Sequence, residues 1–300
     1  MTPGRLLSLS MFFSALCILA SPAAAQFDLN RLFDTAKKIT EVAKSTGEAT
    51  REFTQEEEIA LGEGISASFL GAAPLHPDEK LQRYVNRVGR WLASQTERSD
   101  LPWTFGVLDT ETVNAFAMPG GNVFVSYGLL RRLGNEAELA GVLAHEIAHV
   151  LKKHQLTAIQ SNAGGNVFQM IGETVVSERL ARTRAGSSGL GNQLASAGVG
   201  FVKDGLFLRP LDRSLEFEAD RAGVVIAARA GYDPYGMVSV LQTLQSLKDE
   251  DSGISLFKTH PQPSDRIAEL EKMAPTVLDR FAAQPQVEGR FRQVVPIKSP

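Results

Sequence analysis

His145-Glu146-Ile147-Ala148-His149 lies in a run with helical periodicity from about Glu136 onward. Two histidines four residues apart on a helix lie about 40° apart around the axis and roughly 6 Å apart along it, so both imidazoles reach one ion. Glu146 follows at about 100° around the axis, where a carboxylate can act as general base toward a water beside that ion. The stretch therefore predicts a catalytic metal site. A solvated face of a surface helix is the alternative.

The helix that carries this stretch has clear start signals. Gly134 ends the preceding segment, and Asn135 is a candidate N-cap with Glu138 three residues later. An apolar stripe at helical spacing follows, made of Leu139, Val142, Leu143, Ile147 and Val150. The pattern predicts a single amphipathic helix.

The first 25 residues have the composition of a secretory signal peptide. Arg5 supplies the positive charge, residues 6–20 are apolar, and Ala23 and Ala25 are the small residues before a cleavage site at Gln26. An uncleaved membrane anchor is the alternative, but the apolar run is short for a full span. We therefore expect a periplasmic protein.

The cysteine content restricts the metal ligands. Cys17 is the only cysteine, and it lies inside the predicted signal peptide. A mature chain without cysteine has neither disulfides nor thiolate ligands. The metal must be held by histidine and carboxylate groups, which predicts one Zn²⁺ per chain.

The composition is that of an ordinary globular protein. Hydrophobic residues make up 43% of the chain and charged residues 22%, so a folded core is expected. The formal net charge of -3 and the lack of a basic cluster interleaved with aromatics argue against nucleic acid as a partner.

Three segments follow the signal peptide. Residues 26–50 combine an amphipathic helix over 27–44 with a polar linker, and this helix either packs on the domain or makes peripheral contact with a membrane surface. Residues 51–275 form the main domain, which includes a helical insertion over 155–212. Residues 276–300 are a C-terminal tail.

Two helices are predicted before the first strand. Thr54 and Glu57 form a capping-box signature, and Asp78 opens the second helix. The inner face of the second helix is predicted to include Trp91 among its apolar residues.

Strands are predicted at residues 103–108, 113–117 and 122–126, the last two as a hairpin with a glycine-rich turn. A small sheet beside many helices predicts an α+β fold, mainly helical. The hairpin directly precedes the motif helix, so an extended substrate would add as a further strand. A purely structural sheet is the alternative.

A site with two histidines needs a third protein ligand. His154 is predicted to be a surface histidine, because a continuous helix would direct it about 140° away from His149. Glu216 and Asp220 share a helical face, and we assign Glu216 as the third ligand and Asp220 as the acceptor of a ligand histidine's other N–H. A solvated acidic helix start is the alternative.

The two motifs together resemble a known signature. They are similar to the signature of the zinc peptidase family that includes the type 1 CAAX prenyl proteases and HtpX, and the motifs are His145-Glu146-x-x-His149 and Glu216-x-x-Ala219-Asp220. Within that family the similarity is nearest to the soluble periplasmic members of the BepA and LoiP kind. Supporting similarities occur at Asn114-Ala115-Phe116-Ala117, Pro119-Gly120-Gly121, Gly231-Tyr232-Asp233-Pro234, Thr259-His260-Pro261 and Arg266.

The resemblance implies a gluzincin-like metalloendopeptidase domain with Glu216 as zinc ligand and Glu146 as base. It also implies that the strand at Asn114, Ala115, Phe116 and Ala117 lies beside the substrate. The expected substrates are unfolded or misassembled envelope polypeptides. A non-hydrolytic periplasmic chaperone or binding protein with a structural zinc site is the alternative.

His260 and Arg266 are the remaining candidates for catalytic residues. His260 either gates the open position of the metal or stabilises the oxyanion together with Arg266, and a His-Pro pair that only shapes a loop is the alternative.

Overall fold

The computed structural model describes residues 52–163, 211–247 and 260–296. The predicted signal peptide, the 27–44 helix and most of the 155–212 insertion lie outside the described residues. Within the described ranges, no helix combines the length and apolar character that crossing a membrane requires.

The structure is α+β and mainly helical, which confirms the predicted fold class. In chain order the described elements are α1 (Gln55–Ala72), α2 (Glu79–Ala93), β1 (Thr104–Leu108), β2 (Ala115–Met118), β3 (Asn122–Ser126), α3 (Tyr127–Leu130), α4 (Glu136–Leu151), α5 (His154–Ala163), α6 (Arg213–Arg229), α7 (Tyr235–Leu247), α8 (Pro263–Glu271), α9 (Asp279–Phe281) and α10 (Glu288–Arg292). A 3-10 turn (Pro119–Gly121) joins β2 to β3, and a π-helical turn (Ala274–Leu278) precedes α9.

Three predicted helix starts are confirmed. The Thr54 side chain accepts a hydrogen bond from the Glu57 backbone N–H, and the Glu57 side chain accepts one from the Thr54 N–H. At the start of α2, the Asp78 carboxylate accepts hydrogen bonds from the backbone N–H groups of Lys80 and Leu81. The Asn135 side chain accepts from the Glu138 N–H at the start of α4. Each cap satisfies backbone donors that the first helical turn leaves unpaired.

The predicted hairpin is confirmed. β2 and β3 pair antiparallel, with Ala115 opposite Val125 and Met118 opposite Asn122. Gly120, in the turn between them, has a φ of 77°, a conformation in which a side chain is strained. β1 runs parallel to β3, so among the described residues the strand order is β1-β3-β2 and β2 is an edge strand.

Helix α4 lies at the centre of the molecule, not at its surface. Every residue from Glu136 to Val150 is buried, because α2, α6, α7 and the sheet all pack against the helix. The single helix is therefore confirmed, and the alternative of a surface helix with a solvated face is wrong. Its polar side is covered by α6, where a methyl group on Gly223 would lie only 3.0 Å from the backbone nitrogen of His145.

A buried carboxylate at the start of α4 joins distant parts of the chain. Glu136 is fully buried and accepts hydrogen bonds from the hydroxyls of Tyr84 (2.6 Å) and Tyr232 (2.7 Å). Arg290 of α10 donates to the same carboxylate through Nε at 2.7 Å. These bonds satisfy a charge that would otherwise be costly to bury.

Two predictions about packing need correction. Trp91 is 51% exposed, although its indole N–H donates to the Ala230 carbonyl at 2.8 Å. The packed unit also extends past the predicted boundary at residue 275, because Phe291 and Val295 belong to the main hydrophobic core. The sequence pattern missed this because α10 is short and only one of its residues, Phe291, is buried.

Candidate metal centre

The two histidines of α4 bring their ring nitrogens together. His145 Nε2 and His149 Nε2 are 3.1 Å apart, and both side chains are almost completely buried. Their spacing of four residues on a regular helix is the local cause of this geometry.

Helix α6 places a carboxylate opposite this pair. Glu216 Oε2 lies 3.5 Å from His145 Nε2, and Oε1 lies 3.6 Å from His149 Nε2. Ligand atoms about 2.0 to 2.1 Å from a tetrahedral zinc ion are roughly 3.3 Å from one another. Oε1 is buried and has no hydrogen-bond partner among the described residues. The spacing and the unpaired anionic oxygen both fit a zinc ion held by these three residues.

His260 completes a group of four donors. Its Nδ1 is 2.5 Å from Glu216 Oε2, and one ligand atom from each of the four side chains lies within 4.8 Å of every other. His260 is the least buried member of the group. The structure thus brings the predicted ligands and His260 to one place.

Asp220 and Arg266 lie behind the first histidine. Asp220 Oδ1 is 2.9 Å from His145 Nδ1, the ring nitrogen that faces away from the donor group. Arg266 donates to both oxygens of Asp220, through Nε at 2.8 Å and through a terminal nitrogen at 2.6 Å. Because Arg266 is 2% exposed and bound in this bidentate way, it fixes the carboxylate that orients His145.

The prediction that His154 is a surface histidine is wrong. His154 is 3% exposed, and its Nδ1 lies 3.0 Å from His149 Nδ1. The prediction assumed a continuous helix, but α4 ends at Leu151 and Lys153 adopts a left-handed φ of 55°. This turn redirects the chain, so that α5 begins with His154 pointing back at the metal motif.

The electrostatics distinguish the carboxylates of the site. Burial raises the pKa of Glu146, which is the direction expected for a proton acceptor. Burial also raises the pKa of Glu216, but His260 and His145 outweigh it and hold that pKa well below its usual value. Burial lowers the pKa of His145, but Asp220 and Glu216 overcome this and raise it to about 9. Glu216 is therefore an ionised carboxylate, the form that can act as a metal ligand.

Strand β2 and the residue before it lie next to α4. Ala115 and Ala117 are buried, and Phe116 is half-buried with its ring packed edge-on against Phe69 at 5.0 Å between centroids. The Asn114 side chain is buried and accepts a hydrogen bond from the Ala115 N–H, which shapes the start of the strand. The edge strand predicted to lie beside the substrate is therefore close to the motif helix.

Comparison with known proteins agrees with this geometry. Residues 79–274 match Peptidase family M48, a range that contains both histidines, Glu146, Glu216, His260 and Arg266. The chain belongs to peptidase family M48.

Similar proteins come from bacteria and eukaryotes. The beta-barrel assembly-enhancing protease of Yersinia pestis is 31% identical over 264 residues, which cover 86% of this chain and 51% of that protein. Its Escherichia coli K12 counterpart is 30% identical over 80% of this chain and 48% of its own length. The mitochondrial metalloendopeptidase OMA1 of Schizosaccharomyces pombe is 31% identical over 64% of this chain and 52% of its own length. The chain thus spans about half the length of these relatives.

Some residues beside the donor group gave no usable sequence signal. His154 contacts His149 only because Lys153 takes a left-handed conformation, which glycine or asparagine would have indicated but lysine does not. The Glu218 side chain lies on the far side of the motif, with Oε1 at 2.9 Å from Lys152 Nζ and Oε2 at 3.6 Å from His154 Nε2.

Proposed function

We propose that this chain is a zinc-dependent metalloendopeptidase that hydrolyses peptide bonds of unfolded or misassembled cell-envelope proteins in the periplasm. The observation that carries the proposal is the buried group formed by His145, His149 and Glu216. In this group the unpaired Glu216 Oε1 faces the histidines. Glu146 lies on the same helix as the two histidines. The names of the relatives, which include a beta-barrel assembly-enhancing protease and a mitochondrial metalloendopeptidase, support the same activity.

The residues have separate tasks in this reaction. His145, His149 and Glu216 would hold the metal, and Asp220 and Arg266 would keep His145 in orientation. A bound zinc ion supplies Lewis acidity toward the scissile carbonyl and the attacking water. Glu146 takes a proton from that water on a carboxylate oxygen and passes it to the leaving amine.

The position of His260 supports a gating role over an oxyanion role. Its Nδ1 already contacts the Glu216 carboxylate, and it is the least buried residue of the four-residue group. We therefore place its ring between the group and solvent, where a substrate carbonyl would enter. Arg266 is bound to Asp220 through two of its nitrogens, which supports a holding role for it. In this proposal His260 moves aside when substrate binds.

The sheet edge offers a way to hold a polypeptide without reading much of its sequence. β2 is an edge strand next to α4, and an extended chain that pairs with it receives backbone hydrogen bonds. Unfolded segments present such extended backbone. Folded proteins do not, which accounts for a preference for unfolded or misassembled clients.

The test compares zinc content and casein hydrolysis of the mature protein and its Glu146→Gln variant. We expect the variant to keep its metal and to lose activity by about 10³-fold, because only the proton acceptor is removed. Glu79→Gln, an exposed residue of α2 paired with Arg83, is the matched control and should have wild-type turnover. Equal turnover of wild type and Glu146→Gln would contradict the assignment of Glu146 as the base. Absence of turnover in both zinc-loaded proteins would favour a binding protein.

Glu216→Ala tests the ligand assignment separately. Loss of the anionic donor should abolish stoichiometric zinc binding, which is measured by elemental analysis after dialysis. Full zinc occupancy in this variant would show that the third ligand is another residue.

A further inference from the structure

The ring of His149 has a second histidine at its outer nitrogen. His149 Nδ1 and His154 Nδ1 are 3.0 Å apart, and both side chains are buried. Two imidazole nitrogens at this distance share one hydrogen, so one nitrogen donates and the other accepts. The identity of the donor determines which nitrogen of His149 is free to bind a metal.

The surroundings of His154 indicate which nitrogen carries the hydrogen. Glu218 Oε2 lies 3.6 Å from His154 Nε2, and Lys152 holds the other oxygen of Glu218 at 2.9 Å. A carboxylate beside Nε2 favours the tautomer with its hydrogen on Nε2. Burial favours a neutral ring with a single hydrogen, so His154 Nδ1 is left as an acceptor.

The consequence for His149 follows directly. With His154 Nδ1 as acceptor, His149 donates from its own Nδ1 and keeps a lone pair on Nε2. That Nε2 is the atom 3.6 Å from Glu216 Oε1. We propose that His154 is a positioning residue of the metal centre, which fixes the tautomer and ring orientation of His149 for metal binding. This inference rests on the proposed function in that the centre holds a metal.

The arrangement gives each ligand histidine its own acceptor. His145 Nδ1 faces Asp220 of α6, and His149 Nδ1 faces His154 of α5. The left-handed Lys153 is the local feature that returns the chain to His149. A non-glycine residue in this conformation is strained, and such strain persists only where surrounding contacts maintain it.

Zinc affinity of two nearly isosteric variants tests the proposal. His154→Leu removes the acceptor, whereas His154→Asn places an amide oxygen close to the position of Nδ1. In competition with a chromophoric chelator, we expect His154→Leu to bind zinc 10- to 100-fold more weakly than wild type. His154→Asn should recover most of that loss. A purely structural role would not separate the two variants in this way. Wild-type affinity in a folded His154→Leu protein would overturn the proposal.

The tautomer of His149 is measured independently on the metal-free wild-type protein by imidazole ¹⁵N NMR. We expect the hydrogen on Nδ1, and a hydrogen on Nε2 would overturn the proposal even if His154→Leu failed to fold. Zinc binding and peptidase activity of the wild type test the proposed function. The NMR measurement depends on neither zinc binding nor peptidase activity. Failure of the His154 proposal can therefore be told apart from failure of the proposed function.

Discussion

Gly223→Ala should damage the metal centre although alanine is the better helix former. Glu216, Asp220 and Gly223 occupy positions i, i+4 and i+7 of α6 and so share the face that packs on α4. A methyl group at Gly223 would lie 3.0 Å from the backbone nitrogen of His145 and 3.1 Å from the Cα of His145. Both are backbone atoms, which cannot move aside by changing rotamer.

The expected magnitude comes from two opposing effects. Replacing glycine with alanine inside a helix favours folding by roughly 1 kcal/mol. Overpacking a close backbone contact costs about 1 to 3 kcal/mol. We therefore expect net destabilisation of about 1 kcal/mol. Separation of α6 from α4 also displaces Glu216 from the histidines, and about 1 kcal/mol of strain in the bound state corresponds to roughly fivefold weaker zinc binding.

Urea unfolding and zinc competition measure the two effects. Gly289→Ala in α10 is the matched control, because a methyl group there would have nothing within 4 Å. The control should be as stable as wild type or slightly more stable, with unchanged zinc affinity. If Gly223→Ala also proved more stable than wild type and bound zinc equally well, the argument from close packing would be refuted.

Two further predictions concern stability. Glu136→Gln removes the charged acceptor shared by Tyr84, Tyr232 and Arg290 and should cost about 3 kcal/mol in urea unfolding, whereas the exposed Glu79→Gln should have no measurable effect. Burial raises the pKa of Glu136, but Arg290 and the two tyrosines outweigh it and lower that pKa. The stability lost in Glu136→Gln should therefore be complete above about pH 4.3 and should shrink as the pH falls further. A loss of stability that does not change with pH in chelator-containing buffer would contradict this. Removal of metal with a chelator should lower the melting temperature, and zinc at about 1,000 times its Kd should restore roughly 4 kcal/mol; identical melting with and without zinc would argue against a metal held between α4 and α6.

The sequence predicted those features that depend on residues close together in the chain. The capping box at Thr54, the caps at Asp78 and Asn135 and the hairpin before α4 follow from local hydrogen bonding and turn chemistry, and the structure confirms them. The pairing of His145 with His149 follows from helix geometry in the same way.

Burial and long-range contacts were predicted less well. The apolar stripe of α4 indicated one buried face, but its polar residues are buried too, because α6 covers them. Trp91 is hydrophobic and in helical register, yet it is half exposed. Residues 276–296 gave little periodicity, and only packing shows that Phe291 belongs to the core.

The sequence by itself determined the His145–His149 pair on one helix and a second helix carrying Glu216 and Asp220 on one face. From it we also predicted Glu146 as the base and a ligand set without thiolates. The tertiary structure decided how these parts meet. It brought Glu216 within 3.6 Å of the histidines, bound Arg266 to Asp220 and returned His154 to His149. The physical reason is that helical periodicity fixes directions within one segment, whereas distances between segments depend on close packing, as at Gly223, and on single backbone conformations, as at Lys153.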